Sequence, residues 1–227
     1  YAEPYQAFGD FKINKLDYLN QVPLTEIKNI KNNPDYKERL VERYLWETYS
    51  LGFNMNRAPY AGNYLLRRAL NYAIDRNAII ETVLAGSYRA AKGVIPMGMP
   101  GYNKQLRGYA YDPERAKELL AEAGYPGGEG LKPLLLSFNS DQGHRAVAEA
   151  IAQQLNQLGI DVQLQDMEWD YYKKQLNAMD LTLFRVGWHA DYADADNFLF
   201  GMFHSSKIGI SNYSAYNNPQ VDKILDA

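Results

Sequence analysis

Residues 134–164 read LLLSFNSDQGHRAVAEAIAQQLNQLGIDVQL, and this stretch decides the fold class. The apolar run Leu134–Phe138 predicts a buried strand. Gly143–Leu158 carries apolar residues at helical spacing, and Gly159 follows as a stop signal. Ile160–Leu164 predicts a second strand. A strand, a helix and a strand in this order are typical of a parallel sheet with right-handed crossovers.

The alternation continues on both sides of this stretch. A short helix predicted at Asp170–Ala178 precedes an apolar strand predicted at Leu181–Trp188. Upstream, Asp112-Pro113 predicts the start of a helix that ends at Gly124. The sequence therefore predicts an α/β fold with a mixed or parallel sheet flanked by helices.

The first part of the chain has a different character. Thr25–Asn33 predicts a short helix that stops before Pro34, and Leu40–Asn54 predicts one or two strands. This stretch is too short and too polar to hold a core alone. We expect it to pack against another part of the protein.

Composition excludes several classes of protein. The 227 residues are 46% hydrophobic and carry a net charge of -3, which fits a globular protein rather than a disordered one. The weak acidity argues against nucleic acid as a partner, since phosphate binding needs clustered lysine and arginine. Cysteine is absent, which excludes disulfides, thiolate nucleophiles and cysteine-based zinc sites.

The predicted sheet locates a candidate site. In open α/β sheets, ligands bind beyond the carboxyl ends of the strands. The first of these strands ends shortly before His144, and the third ends at Gly187-Trp188-His189, followed by Asp191. Because parallel strands end at the same edge of a sheet, we expect His144, Trp188 and Asp191 to be near neighbours.

Arg185 lies inside the otherwise apolar strand Leu181–Trp188, where an unpaired charge is costly. Two interpretations are open. Arg185 forms a buried ion pair with a carboxylate of the chain, or its guanidinium binds a ligand carboxylate bidentately. The pattern alone favours neither.

Motifs of the common enzyme classes are missing from the sequence, which has no GxSxG, HExxH or GxxxxGK[ST]. Asp191, Asp194 and Asp196 form an acidic cluster whose spacing fails the EF-hand pattern. For Asp194 and Asp196 we expect helix capping instead. The sequence predicts no metal site and no cofactor.

A distinctive motif, Gly187–Tyr192 followed by Asp196–Phe198, is accompanied by further blocks along nearly the whole chain. These blocks are Leu66–Leu70, Ala73–Arg76, Pro96–Tyr102, Tyr111–Pro113, Ala116–Tyr125, Glu168-Trp169 and Tyr216–Asp222. In this order they resemble the extracytoplasmic oligopeptide- and dipeptide-binding proteins of ABC importers, solute-binding protein family 5.

The resemblance implies a fold like that of type II periplasmic binding proteins, in which two lobes enclose the ligand. Residues 1–48 resemble the end of the first lobe and the hinge strand. Residues 49–227 resemble the second, ligand-binding lobe, which we expect to be truncated at its C-terminal end. The chain is then expected to be a piece of a larger receptor.

The function implied by the resemblance is binding without catalysis. Such a receptor binds short peptides and delivers them to an ABC permease, and we expect it to be a monomer. Its expected location is the periplasm or the outer face of the bacterial cytoplasmic membrane, as a soluble protein or a lipoprotein. Alternatives are a nickel chelate, a modified peptide or an oligosaccharide as solute. A hydrolase with Asp191 and Glu168 as paired carboxylates is a further alternative.

The resemblance also assigns two charged anchors. Asp191 corresponds to an aspartate that pairs with the α-ammonium group of the ligand, and Arg185 to an arginine that binds its carboxylate. Val83 and Ala195 replace a lysine and a proline of other members, which leaves the preferred peptide length open.

Five more residues receive roles from the resemblance. Trp188 and Trp169 match tryptophans that line side-chain pockets. Gly187 and His189 offer main-chain groups that can pair with an extended peptide. His144 lies one position away from a histidine that contacts longer peptides.

Overall fold

The computed structural model describes residue 1 and residues 4–227. The α-helices there are α1 (Pro4–Lys12), α2 (Ile27–Asn32), α3 (Pro34–Lys37), α4 (Tyr64–Ala73), α5 (Arg76–Thr82), α6 (Pro113–Glu122), α7 (Gln142–Asn156), α8 (Trp169–Asn177), α9 (Asp196–Phe203) and α10 (Pro219–Leu225). The strands are β1 (Glu47–Phe53), β2 (Leu134–Asn139), β3 (Val162–Met167) and β4 (Leu183–His189). None of the described helices is both long and apolar enough to cross a lipid bilayer.

The four strands form one mixed sheet in the order β1-β4-β2-β3. β2 is parallel to both β3 and β4, and β1 is antiparallel to β4. α7 connects β2 to β3, and α8 connects β3 to β4. The predicted alternation of strands and helices is therefore confirmed. β3 begins two residues later than predicted, because Ile160 packs in the core before the strand starts.

The two faces of the sheet bury different clusters. Leu136 and Leu183 point into the larger cluster, which α4, α6 and α7 cover. Phe184, the next residue of β4, points to the opposite face and packs with Tyr172 and Leu176 of α8. This division follows from the alternation of side chains along a strand. It decides below which candidate site residues can meet.

The N-terminal stretch differs from its prediction in two places. Pro34 ends α2 and also begins α3, since the Asn33 side chain accepts the backbone N–H of Asp35 as an N-cap. Of Leu40–Asn54, only Glu47–Phe53 forms a strand. The boundary at residue 48 stays a prediction, and β1 runs across it.

Short polar side chains mark the helix starts. Asp112 accepts the backbone N–H of Arg115 at 2.9 Å and caps α6, as predicted. The prediction for α9 is wrong in part, because its N-cap is Ala195 and Asp196 is already helical. Asp194 contributes instead by accepting the backbone N–H of Asp196 at 2.9 Å.

The larger core cluster predicts how much two leucines of β2 contribute to stability. Leu136 is fully buried, whereas Leu135, its neighbour in β2, leaves the opposite face and is 38% exposed. We expect Leu136→Ala to lower the free energy of unfolding by about 2–5 kcal/mol, because a cavity remains in the core. Leu135→Ala, the matched control, should cost no more than about 1 kcal/mol. Urea unfolding measures both, and equal losses would contradict this assignment of the faces.

Candidate functional site

β2 and β4 stop pairing before their carboxyl ends, and we call the space between these strand ends the crevice. β2 pairs with β4 only at Leu136 with Leu183 and at Ser137 with Phe184. Beyond this point the Tyr172 hydroxyl donates to the carbonyl oxygen of Arg185 and lies 3.3 Å from that of Ser137. The Tyr172 hydroxyl thus lies where the hydrogen-bonded pairing of β2 with β4 ends.

The connections that leave β2 and β4 go to opposite faces of the sheet. α7 covers the face of Leu183, and α9 packs against Trp188 on the other face. A point where the connections diverge in this way is where open α/β sheets bind ligands. The crevice is therefore the candidate site.

Backbone groups of β4 are exposed in this crevice. The backbone N–H of Ala190 donates to the carbonyl oxygen of Trp46, and that of Asn54 donates to the carbonyl oxygen of Thr182. In the register of β1 with β4, the even-numbered residues of β4 therefore direct their N–H and C=O groups toward β1. The N–H and C=O groups of Gly187 and His189 therefore point toward β2, which no longer pairs there. Among the described residues these groups have no backbone partner on this side, so they can pair with an extended ligand.

Arg185 lies half-buried at the same place, and its guanidinium stacks over the ring of Tyr49 at 4.8 Å. Its Nη1 donates to Oδ1 of Asn139 at 3.3 Å, and its buried Nε has no hydrogen-bond partner. Within the described part of the chain, no carboxylate lies within 4.0 Å of it. The interpretation as an ion pair within the described chain is therefore wrong.

Gly187 makes room for this guanidinium. A Cβ atom at Gly187 would lie 2.8 Å from Nη2 of Arg185, which is too close. The absence of a side chain at Gly187 thus leaves space for the guanidinium where it lies.

His144 lies on the same face of the sheet, in the first turn of α7, with its ring 5.6 Å from that of Tyr49. Asp141 caps this helix, and its Oδ1 lies 3.9 Å from Nδ1 of His144. Burial lowers the pKa of His144, and the positive charge of Arg185 lowers this pKa further, against the opposing effect of Asp141. The imidazole is therefore neutral at pH 7. We call Arg185, Tyr49, Asn139 and His144 the arginine cluster.

Trp188 lies on the opposite face of the sheet from the arginine cluster. Its Nε1 donates to Oδ1 of Asn197 at 2.8 Å, and its ring packs closely over Gly201 of α9. The structure therefore does not bring Trp188 and His144 together. Successive residues of a strand point to opposite faces of the sheet, so Trp188 cannot lie on the face of Arg185 and Gly187, where His144 packs.

The remaining predicted residues lie near the carboxyl edge. Asp191 is exposed in the loop after β4, and its carboxylate accepts no hydrogen bond from the described residues. His189 is the exposed last residue of β4. Trp169 begins α8 and is 50% exposed, with its ring 6.4 Å from that of Tyr172.

Sequence reasoning missed two members of the cluster, Tyr49 and Asn139. Asn139 had a usable signal, because it ends a buried strand whose carboxyl end faces the site. Tyr49 had none, since its position depends on the antiparallel register that places it opposite Gly187.

The comparisons with known proteins agree on one family. Residues 1–209 match the profile of the bacterial extracellular solute-binding proteins, family 5 middle region. Heme-binding protein A of Haemophilus influenzae is 36% identical over 207 residues, which cover 89% of this chain and 37% of that relative. The oligopeptide-binding protein OppA of Bacillus subtilis is 30% identical, over 95% of this chain and 40% of its own.

Solved structures show the same fold. The periplasmic binding protein DppA of Helicobacter pylori, in complex with the peptide STSA, superposes with a TM-score of 0.83 at 27% identity. The match covers 99% of this chain and 43% of that structure, so the chain spans about two fifths of the length of these relatives. The predicted type II periplasmic-binding-protein fold is thereby confirmed. The chain belongs to the bacterial extracellular solute-binding proteins of family 5.

Proposed function

We propose that this chain forms the second lobe of the substrate-binding component of an ABC importer, and that the receptor binds short peptides. The observation that carries the proposal is the guanidinium of Arg185, which lies half-buried beside the crevice and has no carboxylate within 4.0 Å among the described residues. A ligand carboxylate is the group that such a guanidinium binds best.

The free backbone groups of β4 support the same ligand class. Gly187 and His189 can pair with the main chain of an extended peptide, and main-chain pairing accepts peptides of many sequences. Asp191 provides the second anchor, since its exposed carboxylate can bind the α-ammonium group. Trp169 lies at the same edge and offers an aromatic wall for a ligand side chain.

The two charged anchors favour a zwitterion over an uncharged sugar. A peptide with both termini free satisfies Arg185 and Asp191 together, whereas an oligosaccharide leaves a desolvated charge unpaired, which is unfavourable. The hydrolase alternative has less support, because Glu168 has a structural role. Glu168 accepts the backbone N–H of Asp170 at 2.8 Å and caps α8.

Heme is a second candidate ligand, because the relative that is 36% identical is named heme-binding protein A. Heme carries carboxylates that Arg185 could bind, but it has no ammonium group for Asp191. Titration of the receptor with heme, followed by visible absorbance, and with a mixed peptide pool, followed by native mass spectrometry, separates the two ligands. Binding of heme without any peptide would overturn the proposal of a peptide receptor.

The carboxylate anchor predicts a loss that depends on the ligand. In the receptor that carries both lobes, we expect Arg185→Gln to weaken peptides with a free carboxyl terminus by about 2–5 kcal/mol, or roughly 30-fold or more in Kd. Peptides with an amidated terminus should lose little, because they bring no charge to this position. Calorimetry with matched pairs of peptides measures the difference.

The control for this experiment is Arg145→Gln. Arg145 lies on α7 near the same edge, but its Nη2 is paired with Oδ2 of Asp166 at 2.6 Å. We expect its replacement to change peptide affinity by less than about threefold, because it is an exposed ion pair. Equal losses in both variants, or for both kinds of peptide, would contradict the anchor role of Arg185.

The ammonium anchor predicts the complementary selectivity. We expect Asp191→Asn to weaken peptides with a free amino terminus by at least about tenfold and to leave amino-acetylated peptides nearly unchanged. Asp194→Asn is the matched control, since Asp194 lies in the same loop and supports α9. Fluorescence competition measures the affinity of both variants for both kinds of peptide. If Asp191→Asn weakened acetylated peptides as much as free ones, the anchor role would be ruled out.

The arginine cluster predicts a coupling between ligand and proton binding. In the free receptor the pKa of His144 lies below its ordinary value of 6.5, because of burial and the charge of Arg185. A bound carboxylate offsets that charge, so we expect the pKa to rise and peptide binding to be accompanied by proton uptake at mildly acidic pH. Below pH 6.5, protonation of His144 should lower the stability of the free receptor, since the unfolded chain binds that proton more tightly.

NMR titration of the histidine resonances, with and without a tripeptide, measures this pKa. Arg185→Gln should raise the pKa in the free receptor, and Asp141→Asn should lower it further. A pKa that does not respond to the peptide would show that no ligand charge lies near His144.

A further inference from the structure

The loop between α5 and α6 carries charge of one sign. Residues 82–111 contain four basic side chains and no aspartate or glutamate. The four are Arg89, Lys92, Lys104 and Arg107. The whole chain nevertheless has a net charge of -3. A local concentration of positive charge on an acidic protein produces a potential that attracts anions to this surface.

Two glycines hold distant parts of this loop together. A Cβ atom at Gly108 would lie 3.0 Å from Cα of Lys92 and 3.1 Å from its carbonyl oxygen, and the φ of Gly108 is +67°. At Gly93, a Cβ atom would lie 2.6 Å from Cδ2 of Leu106. These close contacts place Lys92 and Arg107 near each other, although they are far apart in the sequence.

A pocket of about 440 Å³ lies between this loop and α5. Arg89, Lys92 and Arg107 line the loop side, and Arg76 of α5 adds a fourth positive charge. No carboxylate of the described residues lies within 4.0 Å of any of these four groups. Lys104, the remaining basic residue of the loop, does not line the pocket.

The two carboxylates that line the pocket lie at the two ends of α5. Oδ1 of Asp75 accepts the backbone N–H of Ala78 at 3.0 Å and caps this helix. Glu81 lies beside Gly86 after the helix, where a Cβ atom would be 3.5 Å from its Oε2. The pocket therefore keeps an excess of positive charge, which a bound anion would offset.

Aromatic rings hold the walls of the pocket in place. The guanidinium of Arg89 lies 4.6 Å from the centre of the Tyr44 ring, and stacking of this kind leaves its N–H edge available to a ligand. The Tyr109 ring meets the Tyr72 ring edge-on, with their centres 5.1 Å apart. The positive groups thus belong to a supported surface rather than to isolated side chains.

We propose that this pocket binds a phosphate group, carried either by a small soluble anion or by the headgroup of an anionic phospholipid. A carboxylate has two oxygens and a single charge, whereas a phosphate group presents three oxygens and up to two charges. Arginine binds such a group bidentately and lysine pairs with it as a point charge. Four basic groups around one pocket therefore suit phosphate better than carboxylate.

The proposal goes beyond peptide binding and does not depend on it. Arg185, the proposed anchor for the peptide carboxylate, does not line this pocket. The walls come from α5 and the loop that follows it, whereas the crevice lies between the ends of β2 and β4. We therefore expect Arg107→Gln to change peptide affinity by less than about threefold.

Two binding measurements on the full-length receptor test the proposal. Calorimetry with inorganic pyrophosphate at low ionic strength measures binding of a soluble anion. Cosedimentation with vesicles of phosphatidylglycerol, compared with vesicles of phosphatidylcholine, measures binding of an anionic headgroup. Binding of pyrophosphate would identify a soluble ligand. Binding to the phosphatidylglycerol vesicles alone, beyond that to phosphatidylcholine, would identify the headgroup.

Variants of the loop locate the site. We expect Lys92→Gln and Arg107→Gln each to weaken the observed binding at least about tenfold, because each removes a charge-assisted hydrogen bond. Lys104→Gln is the matched control, since it removes the same charge from the same loop outside the pocket. It should weaken binding by less than about threefold. Thermal unfolding of each variant verifies that it is folded.

Three outcomes would overturn the proposal. The unmodified receptor could bind neither pyrophosphate nor phosphatidylglycerol vesicles. Lys104→Gln could lose as much affinity as Arg107→Gln, which would mean that diffuse attraction rather than a site explains the binding. Arg185→Gln could abolish the binding while Arg107→Gln retains it, which would place the anion in the peptide crevice.

Discussion

The short ladder between β2 and β4 is the constraint on which the site depends. Where the two strands stop pairing, the Tyr172 hydroxyl binds the carbonyl oxygen of Arg185, and the backbone of Gly187 and His189 loses its neighbour. A fully paired sheet would have used these groups internally and left nothing for a ligand. The crevice therefore results from a local failure of pairing in an otherwise regular sheet.

Arg185 shows what this arrangement costs. A half-buried guanidinium that has no carboxylate of the described residues within 4.0 Å is destabilising, and the chain compensates with weaker interactions, namely the ring of Tyr49 and the amide oxygen of Asn139. A carboxylate of the chain paired with Arg185 would have stabilised the fold but would also compete with any anionic ligand. The unsatisfied Nε is thus consistent with a site in which stability has been given up for binding.

Local sequence rules predicted the elements of the sheet well and their mutual arrangement less well. The strands around Leu136 and Leu183 and the cap at Asp112 follow from apolar periodicity and capping chemistry, which act within a few residues. The opposite faces of Trp188 and His144 were not predicted, because the expectation considered only strand ends and ignored side-chain parity. The role of Tyr49 depends on an antiparallel register with β4, and pairing over more than 130 residues leaves no local signal.

Two sets of backbone groups lack a strand partner among the described residues, and both follow from one geometric fact. In an antiparallel pair, each strand directs alternate residues to its partner and the others away. On β4 the outward groups of Gly187 and His189 face a crevice that is open at the carboxyl edge and flanked by charged anchors, which suits a ligand that must enter and leave. On β1 the outward groups of Leu51 and its neighbours face a groove that is lined by aromatic side chains. The same register therefore presents two sets of backbone groups at the two sides of the β1–β4 pair, and the side chains around each set distinguish them.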